Sequence, residues 1–132
     1  MRVRRAFAVL VDFYGALTKR AELYEDWQAV SYLPLVERLR CPIQIHIGTE
    51  DEIISEDEVA ELERLLAQHA NDYELYLYPG AHHAFHDNTD RRHAPAHAAL
   101  AQERAFAYLA ARLSGRVPDT APEVGVATSF LA

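Results

Sequence analysis

Apolar residues form three short runs with the pattern of β-strands. Residues 6–13 (AFAVLVDF) are almost entirely apolar and rich in β-branched and aromatic side chains, which is typical of a strand covered on both faces. Residues 43–48 (IQIHIG) alternate apolar and polar side chains, and residues 73–78 (YELYLY) precede the turn pair Pro79-Gly80. We therefore predict three strands.

A helix is predicted between the second and third strands. Ser55 and Glu58 have the S-x-x-E spacing of a capping box, in which each side chain satisfies a free amide at the start of a helix. Apolar side chains then recur at helical spacing, at Val59, Leu62, Leu65 and Leu66. This helix should end near Ala70-Asn71.

A second, longer helix is predicted from about Ala96 to Leu113, because Ser114-Gly115 is a typical helix end. Its apolar face is predicted to carry Leu100, Phe106, Leu109 and Leu113. Residues 33–40 (LPLVERLR) indicate a short helix ahead of the second strand. Residues 116–132 show no clear period, so we expect a loose tail after a single unit spanning residues 1–115.

The order of these elements predicts an α/β fold with a mostly parallel sheet of about three strands flanked by helices. Ligands of such sheets bind at the carboxyl ends of the strands. The acidic stretch GTEDE follows the second strand, and the histidine-rich stretch PGAHHAFHD follows the third. Both stretches therefore open at one edge, which suits an Asp–His pair in which the carboxylate orients the imidazole.

The composition argues against several classes of protein, namely nucleic-acid-binding, membrane-spanning and disulfide-rich proteins. The chain has 132 residues, which is enough for one domain, and its net charge of −7 argues against nucleic-acid or anionic-membrane partners. No segment approaches the roughly 18 apolar residues of a membrane span. The single cysteine, Cys41, excludes an internal disulfide framework. The first apolar run contains Asp12 and lacks a cleavage site for a signal peptide, so we expect a cytoplasmic protein.

Three stretches carry a resemblance to a known family. CPIQIHIGTEDEII, YELYLYPGAHHAF and HAALAQERAFAYLAARL resemble the last third of the α/β-hydrolase fold, and most of all the dienelactone hydrolase family. The likeness covers roughly residues 5–113 and is weakest over residues 16–40. It implies the C-terminal part of a hydrolase that cleaves a small-molecule ester or lactone without a cofactor.

By this resemblance, Asp51 is the acid and His83 the histidine of a catalytic triad, in the chain order of α/β-hydrolases. Tyr14, at the end of the first strand, is the best candidate for a substrate-binding side chain. Glu50 is the competing acid. His82 is the competing histidine, because a shift of one residue would exchange it with His83.

The nucleophile of such a triad is missing from the sequence. The five glycines do not provide the G-x-S-x-G or G-x-C-x-G spacing of a nucleophile elbow, so this chain alone is expected to be inactive. In the family, the first strand lies beside a preceding strand that this sequence lacks. Residues 6–13 would then form an exposed apolar edge. The alternative function is accordingly a non-catalytic module that self-associates through residues 6–13.

Other polar residues allow competing interpretations. His82, His86 and Asp87 could be combined into a metal site, but they share one short loop, and we expect no metal. Asp87 and Asn88 occupy the region where dienelactone hydrolases carry an arginine for the substrate carboxylate. The resemblance therefore implies the chemistry of the family rather than its dienelactone substrate.

The remaining candidates have ordinary explanations. His93 and His97 have a zinc-type spacing, but Pro95 between them disfavours a regular helix, so solvated side chains are expected. Cys41 precedes the second strand while Asp51 follows it, about 20 Å away at ~3.3 Å per residue, too far for a nucleophile. Four aromatic side chains follow the first strand and are expected mainly in the core: Tyr14, Tyr24, Trp27 and Tyr32.

Overall fold

The computed structural model describes residues 7–19, 30–70, 72–114 and 124–128. The elements follow in the order β1 (Val9–Phe13), β2 (Thr18–Lys19), β3 (Val30–Ser31), a 3-10 helix (Leu33–Arg38), β4 (Ile43–Gly48), α1 (Glu56–His69), β5 (Tyr73–Tyr78), α2 (Pro95–Leu113) and β6 (Val124–Thr128). The predicted strands, both predicted long helices and the short helix are all present, with ends shifted by a few residues.

The main sheet has four strands in the order β5-β4-β1-β6, and every neighbouring pair is parallel. This confirms the predicted α/β class with a parallel sheet flanked by helices. Strands β2 and β3 form a separate antiparallel ribbon. In the main sheet, Phe13 pairs with His46, and Gly48 pairs with Tyr78. The loops that follow β1, β4 and β5 therefore leave from the same edge of the sheet.

Strand β6 corrects two expectations. The tail over residues 116–132 was expected to be loose, and this is wrong for Val124–Thr128, which pair in register with all five residues of β1. The outer edge of β1 is consequently not free, contrary to the prediction for residues 6–13. The physical reason is that β1 presents a row of unpaired main-chain groups, which a short segment of the same chain satisfies. In VGVAT, glycine and alanine separate the two valines, so the segment lacks the large apolar side chains that indicated the other strands.

Helix α1 begins as predicted, with the Ser55–Glu58 capping box formed in both directions. Leu62 and Leu66 are buried, and Val59 and Leu65 pack against the same core. No helix in the described ranges is long and apolar enough to cross a membrane.

The predicted apolar face of α2 is only partly the face that packs on the core, and the prediction is wrong for Leu100 and Phe106. Leu100 is 38% exposed and Phe106 is 62% exposed, while Leu109 and Leu113 are only partly buried. The buried face consists of small side chains and one tyrosine: Ala98, Ala101, Ala105 and Tyr108. Alanines allow the helix backbone to lie close to a sheet face that already carries large side chains, including His46 and Tyr78.

Candidate active site

Two loops at the carboxyl edge of the sheet are joined by main-chain hydrogen bonds. The acidic loop follows β4 and the histidine loop follows β5. The amide of Thr49 donates to the Tyr78 carbonyl at 3.0 Å, and the amide of Glu50 donates to the Ala81 carbonyl at 2.9 Å. The amide of Gly80 donates to Oγ1 of Thr49 at 2.8 Å. The first residues of each loop are thereby held against the other loop.

Gly48 makes this close approach possible. A Cβ atom at residue 48 would lie 2.1 Å from the carbonyl oxygen of Ala81, well inside any real contact distance. The glycine at the end of β4 is therefore required by space rather than by its backbone angles.

Asp51 and His83 meet where the two loops touch. Oδ1 of Asp51 accepts the amides of Ile53 and Ile54 at 2.8 and 2.9 Å, which fixes the carboxylate. Oδ2 of Asp51 lies 3.0 Å from Nδ1 of His83. The side chains of Asp51 and His83 are 0% and 2% exposed. The structure thus brings together the two residues that the sequence analysis singled out.

This geometry determines which ring nitrogen of His83 carries the proton. An ionised carboxylate only accepts hydrogen bonds, so Nδ1 of His83 donates to Asp51, and Nε2 of the neutral ring is left as the basic atom. No described residue forms a hydrogen bond to Nε2.

The competing residues lie elsewhere. Nδ1 of His82 lies 2.9 Å from Oε1 of Glu52, and the His82 side chain is 48% exposed. The side chain of Glu50 forms no hydrogen bond or ion pair with the described residues, and Glu50 takes part only through its amide. His82 therefore pairs with Glu52 at an exposed position, and neither His82 nor Glu50 forms a hydrogen bond to Asp51 or His83 through its side chain.

Tyr14 packs directly against His83. Their ring centroids are 4.9 Å apart, and the Tyr14 ring also contacts Phe85 at 5.6 Å. Tyr14 is 7% exposed and has φ 46°, a left-handed conformation that is costly for an aromatic residue. Burial raises the pKa of the Tyr14 hydroxyl, and the negative charges of Asp87 and Asp90 raise it further.

Asp12 holds the turn that contains Tyr14. Oδ1 of Asp12 accepts the amide of Gly15 at 3.0 Å, across the strained residue. Burial raises the pKa of Asp12 to about 7, although the Gly15 hydrogen bond opposes that shift. The sequence analysis used Asp12 only as an argument against a signal peptide and missed this contact.

Glu52 and Arg92 were also missed. Glu52 Oε2 accepts the amide of His83 at 3.1 Å and lies 3.7 Å from Nη1 of Arg92. Partial burial raises the pKa of Glu52, but hydrogen bonds from its own amide, from the His83 amide and from His82 outweigh burial and leave the pKa lowered. Arg92 in turn forms two hydrogen bonds to the carboxylate of Asp90, each 2.9 Å long. The contacts of Glu52 with His83 and Arg92 join residues distant in sequence, so no local pattern indicates them.

His93 and His97, the two histidines with zinc-type spacing, form hydrogen bonds to the main chain of the histidine loop. Nδ1 of His93 donates to the Phe85 carbonyl at 3.1 Å, and Nε2 of His97 donates to the Pro79 carbonyl at 3.0 Å. Helix α2 begins at Pro95, so His93 precedes the helix and His97 lies in its first turn. Rather than being simply solvated, both side chains bind main-chain oxygens at the two ends of the loop.

The three residues considered for a metal site make separate contacts. His82 binds Glu52, the His86 ring packs on Phe13 at 4.7 Å, and Asp87 accepts hydrogen bonds from the amide and hydroxyl of Thr89. In the part of the chain that the structure describes, no group of three or more His, Cys, Asp or Glu side chains is placed to hold a metal ion.

A buried polar network lies beneath the site, and its central residue is His46, which is 0% exposed. The Tyr78 hydroxyl lies 2.7 Å from Nδ1 of His46, and Nε2 of His46 lies 2.8 Å from Oε1 of Gln44. Because the amide oxygen of Gln44 only accepts, Nε2 carries the proton and the tyrosine donates to Nδ1. Burial lowers the pKa of His46 to about 4, aided by the charge of Arg104. His46 is thus a structural, neutral histidine.

The other candidates from the sequence lie away from Asp51 and His83 or outside the description. Cys41 precedes β4, at the opposite end of that strand from Asp51. Tyr32 is 39% exposed, ahead of the 3-10 helix. Tyr24 and Trp27 lie outside the described residues.

Comparison with known proteins identifies the family of this chain. The model of the dienelactone hydrolase family matches residues 3–113, and the chain belongs to this family. A protein from Bradyrhizobium sp., described as a probable 2-oxo-3-(5-oxofuran-2-ylidene)propanoate lactonase, is 35% identical over 111 residues. That match covers 84% of this chain and 44% of the lactonase, so the chain spans less than half the length of this relative.

Solved structures show the same fold. A protein from Klebsiella pneumoniae subsp. pneumoniae, assigned as a dienelactone hydrolase, superimposes with a TM-score of 0.66 at 22% identity, over 77% of this chain and 41% of that one. An esterase from Thermogutta terrifontis with propionate bound gives a TM-score of 0.56 at 19% identity, over 86% of this chain and 45% of that one. At these identities the likeness establishes the α/β-hydrolase fold alone.

Proposed function

We propose that Asp51 and His83 are the acid and the histidine of a nucleophile–His–Asp triad that hydrolyses an ester or lactone. The observation that carries this proposal is the buried 3.0 Å contact between Oδ2 of Asp51 and Nδ1 of His83 at the carboxyl edge of the sheet. Membership of the dienelactone hydrolase family supports the same chemistry, and so does the 35% identity with the Bradyrhizobium protein that is described as a probable lactonase.

In this mechanism, Nε2 of His83 takes the proton of the nucleophile as it attacks the carbonyl carbon of the substrate. An acyl-enzyme forms, and the protonated ring returns the proton to the leaving oxygen. Asp51 fixes the tautomer and stabilises the charged ring. Water then hydrolyses the acyl-enzyme by the same route. No nucleophile-elbow motif occurs in this sequence, and we propose that residues outside it supply the nucleophile.

Tyr14 is proposed to line the substrate side of the site, because its ring packs against the His83 ring with the centroids 4.9 Å apart. Asp87 and Asp90 lie close enough to raise the pKa of Tyr14. The substrate is proposed to be a small ester or lactone, with no cofactor. A cytoplasmic location is proposed because the single cysteine allows no internal disulfide.

The test uses a chimeric protein. The part of the Bradyrhizobium protein that has no counterpart in this chain is fused to the N-terminus of the 132-residue chain. We expect this chimera to hydrolyse p-nitrophenyl acetate, and His83→Asn to lower kcat by about 10²–10⁴-fold, the usual contribution of a general acid–base group. His82→Asn is the matched control and should leave kcat nearly unchanged.

The 132-residue chain by itself is expected to show no ester hydrolysis that depends on His83. Hydrolysis by the isolated chain that His83→Ala abolishes would contradict only the placement of the nucleophile outside this sequence. A folded chimera in which His82→Asn, rather than His83→Asn, removes the activity would refute the assignment of His83.

Self-association through residues 6–13 is the weaker candidate function. Strand β6 pairs with β1 over Val9–Phe13, so this edge is available to a second chain only if β6 leaves it.

A further inference from the structure

His83 is held at two points by two consecutive acids. The carboxylate of Asp51 binds Nδ1 of the ring at 3.0 Å, while the carboxylate of Glu52 binds the main-chain amide at 3.1 Å. One acid therefore fixes the side chain and the next fixes the backbone that carries it. Among the described residues, Glu52 provides the hydrogen bond to the His83 amide, and no neighbouring main-chain carbonyl accepts it.

The backbone on both sides of His83 explains why this contact matters. The main-chain bonds between the two loops extend only as far as Ala81, whose carbonyl accepts the amide of Glu50. Immediately after His83, Ala84 has φ 64°, a left-handed conformation that is unfavourable for an alanine. Such a conformation persists only where surrounding contacts enforce it. Without Glu52, the strained turn could relax by moving His83 away from Asp51.

A carboxylate suits this position because it accepts two donors at once. Oε1 of Glu52 receives Nδ1–H of His82, and Oε2 receives the His83 amide. Arg92 lies 3.7 Å from Oε2 and is itself held by Asp90. The side chain of Glu52 is 47% exposed, so it forms a bridge at the rim of the site rather than a buried charge.

We infer that Glu52 is a positioning residue, which holds the main chain of His83 so that the ring remains in contact with Asp51. This inference rests on the proposed function for its catalytic meaning, but the positioning itself is a property of the 132-residue chain. Glu52 would act through His83 and would not touch the substrate.

The test is NMR spectroscopy of the 132-residue chain. In Glu52→Ala, we expect the His83 amide to exchange with solvent at least about tenfold faster, as for a lost hydrogen bond to a charged group. The downfield Nδ1 proton resonance of His83, which reports its bond to Asp51, should broaden or vanish. Glu52→Gln retains one acceptor oxygen for the His83 amide and should restore much of both signals.

Glu50→Ala is the matched control, because it removes the same charge on the other side of Asp51, from a side chain without a described partner. Unchanged His83 amide exchange and an unchanged Nδ1 resonance in Glu52→Ala would overturn the inference, as would equal effects of Glu50→Ala and Glu52→Ala. If Glu52→Ala does not fold, Glu52→Asp provides the test, because it keeps the charge but its shorter side chain withdraws the carboxylate from the His83 amide, which should then exchange faster and the Nδ1 resonance should weaken. An inactive chimera whose His83 signals depend on Glu52 would refute the proposed function alone.

Discussion

Asp12 makes the free energy of unfolding of this chain fall as the pH rises, which is the opposite of the usual effect of a carboxylate. Its pKa is raised from 3.8 to about 7, mainly because the carboxylate is buried. Between about pH 4 and 7, the folded chain binds this proton more tightly than the unfolded chain does. The contribution of Asp12 to stability is therefore greatest at acid pH and is lost as the pH rises toward 7.

Asp12→Asn should remove this dependence, because asparagine keeps an oxygen for the Gly15 amide but does not ionise. We expect the stability of the variant relative to the wild type to increase as the pH rises from 5 to 7, by up to about 1.4 kcal/mol per pH unit. Urea unfolding of both proteins across this range measures the difference. A difference that stays constant or falls with rising pH would contradict the prediction.

The difference in stability between Asp12→Asn and the wild type is free of the contribution of His46. Its pKa is lowered to about 4, so its contribution to stability is lost as the pH falls, the opposite sense to Asp12. Both proteins contain His46 in the same buried network, and its contribution cancels in the difference between them.

At the ends of β4 and β5, Gly48 sets the distance between the two loops. We expect Gly48→Ala to separate them, because its Cβ would lie 2.1 Å from the Ala81 carbonyl oxygen and main-chain atoms must move. Gly80→Ala is the matched control. It meets nothing within 4 Å but has φ 73°, so it should cost roughly 1 kcal/mol.

The measurement combines urea unfolding with the Nδ1 proton resonance of His83. Gly48→Ala should be the less stable of the two variants and should lose the resonance, whereas Gly80→Ala should keep it. Equal stability losses, with the resonance retained in both, would show that the loops tolerate the displacement.

Local patterns predicted the elements of this fold but not their contacts. Ser55 and Glu58 are three residues apart, and their capping box formed as predicted. The side chains of α2 were misassigned because the sequence shows which residues are apolar, whereas close packing on the sheet selected alanines over Leu100 and Phe106.

The same limit applies to the candidate site. Asp51 and His83 were chosen from strand ends and from a family resemblance, and the structure brings them together. Glu52 was passed over because its partners lie on another loop, 30 and 31 residues further along the chain. Only the pairing of β4 with β5 places these residues side by side.

Strand β6 determines whether β1 is an edge of the molecule. It pairs in parallel with all five residues of β1, whose alternate side chains at Val9, Val11 and Phe13 are buried. An apolar strand with unpaired main-chain groups on one side is a template for another chain. The self-association expected for residues 6–13 is therefore a property that β6 should suppress.

Removal of residues 115–132 should allow self-association through residues 6–13. We expect the shortened chain to form dimers or larger species in a concentration-dependent manner in sedimentation velocity experiments, under conditions in which the full chain sediments as a monomer. Removal of residues 129–132 alone is the matched control, because it keeps β6, and it should behave like the full chain. If the chain without residues 115–132 stays monomeric at every concentration, β6 does not protect the edge and association through residues 6–13 is excluded. If the control also associates, residues 129–132 rather than the pairing of β6 with β1 suppress association.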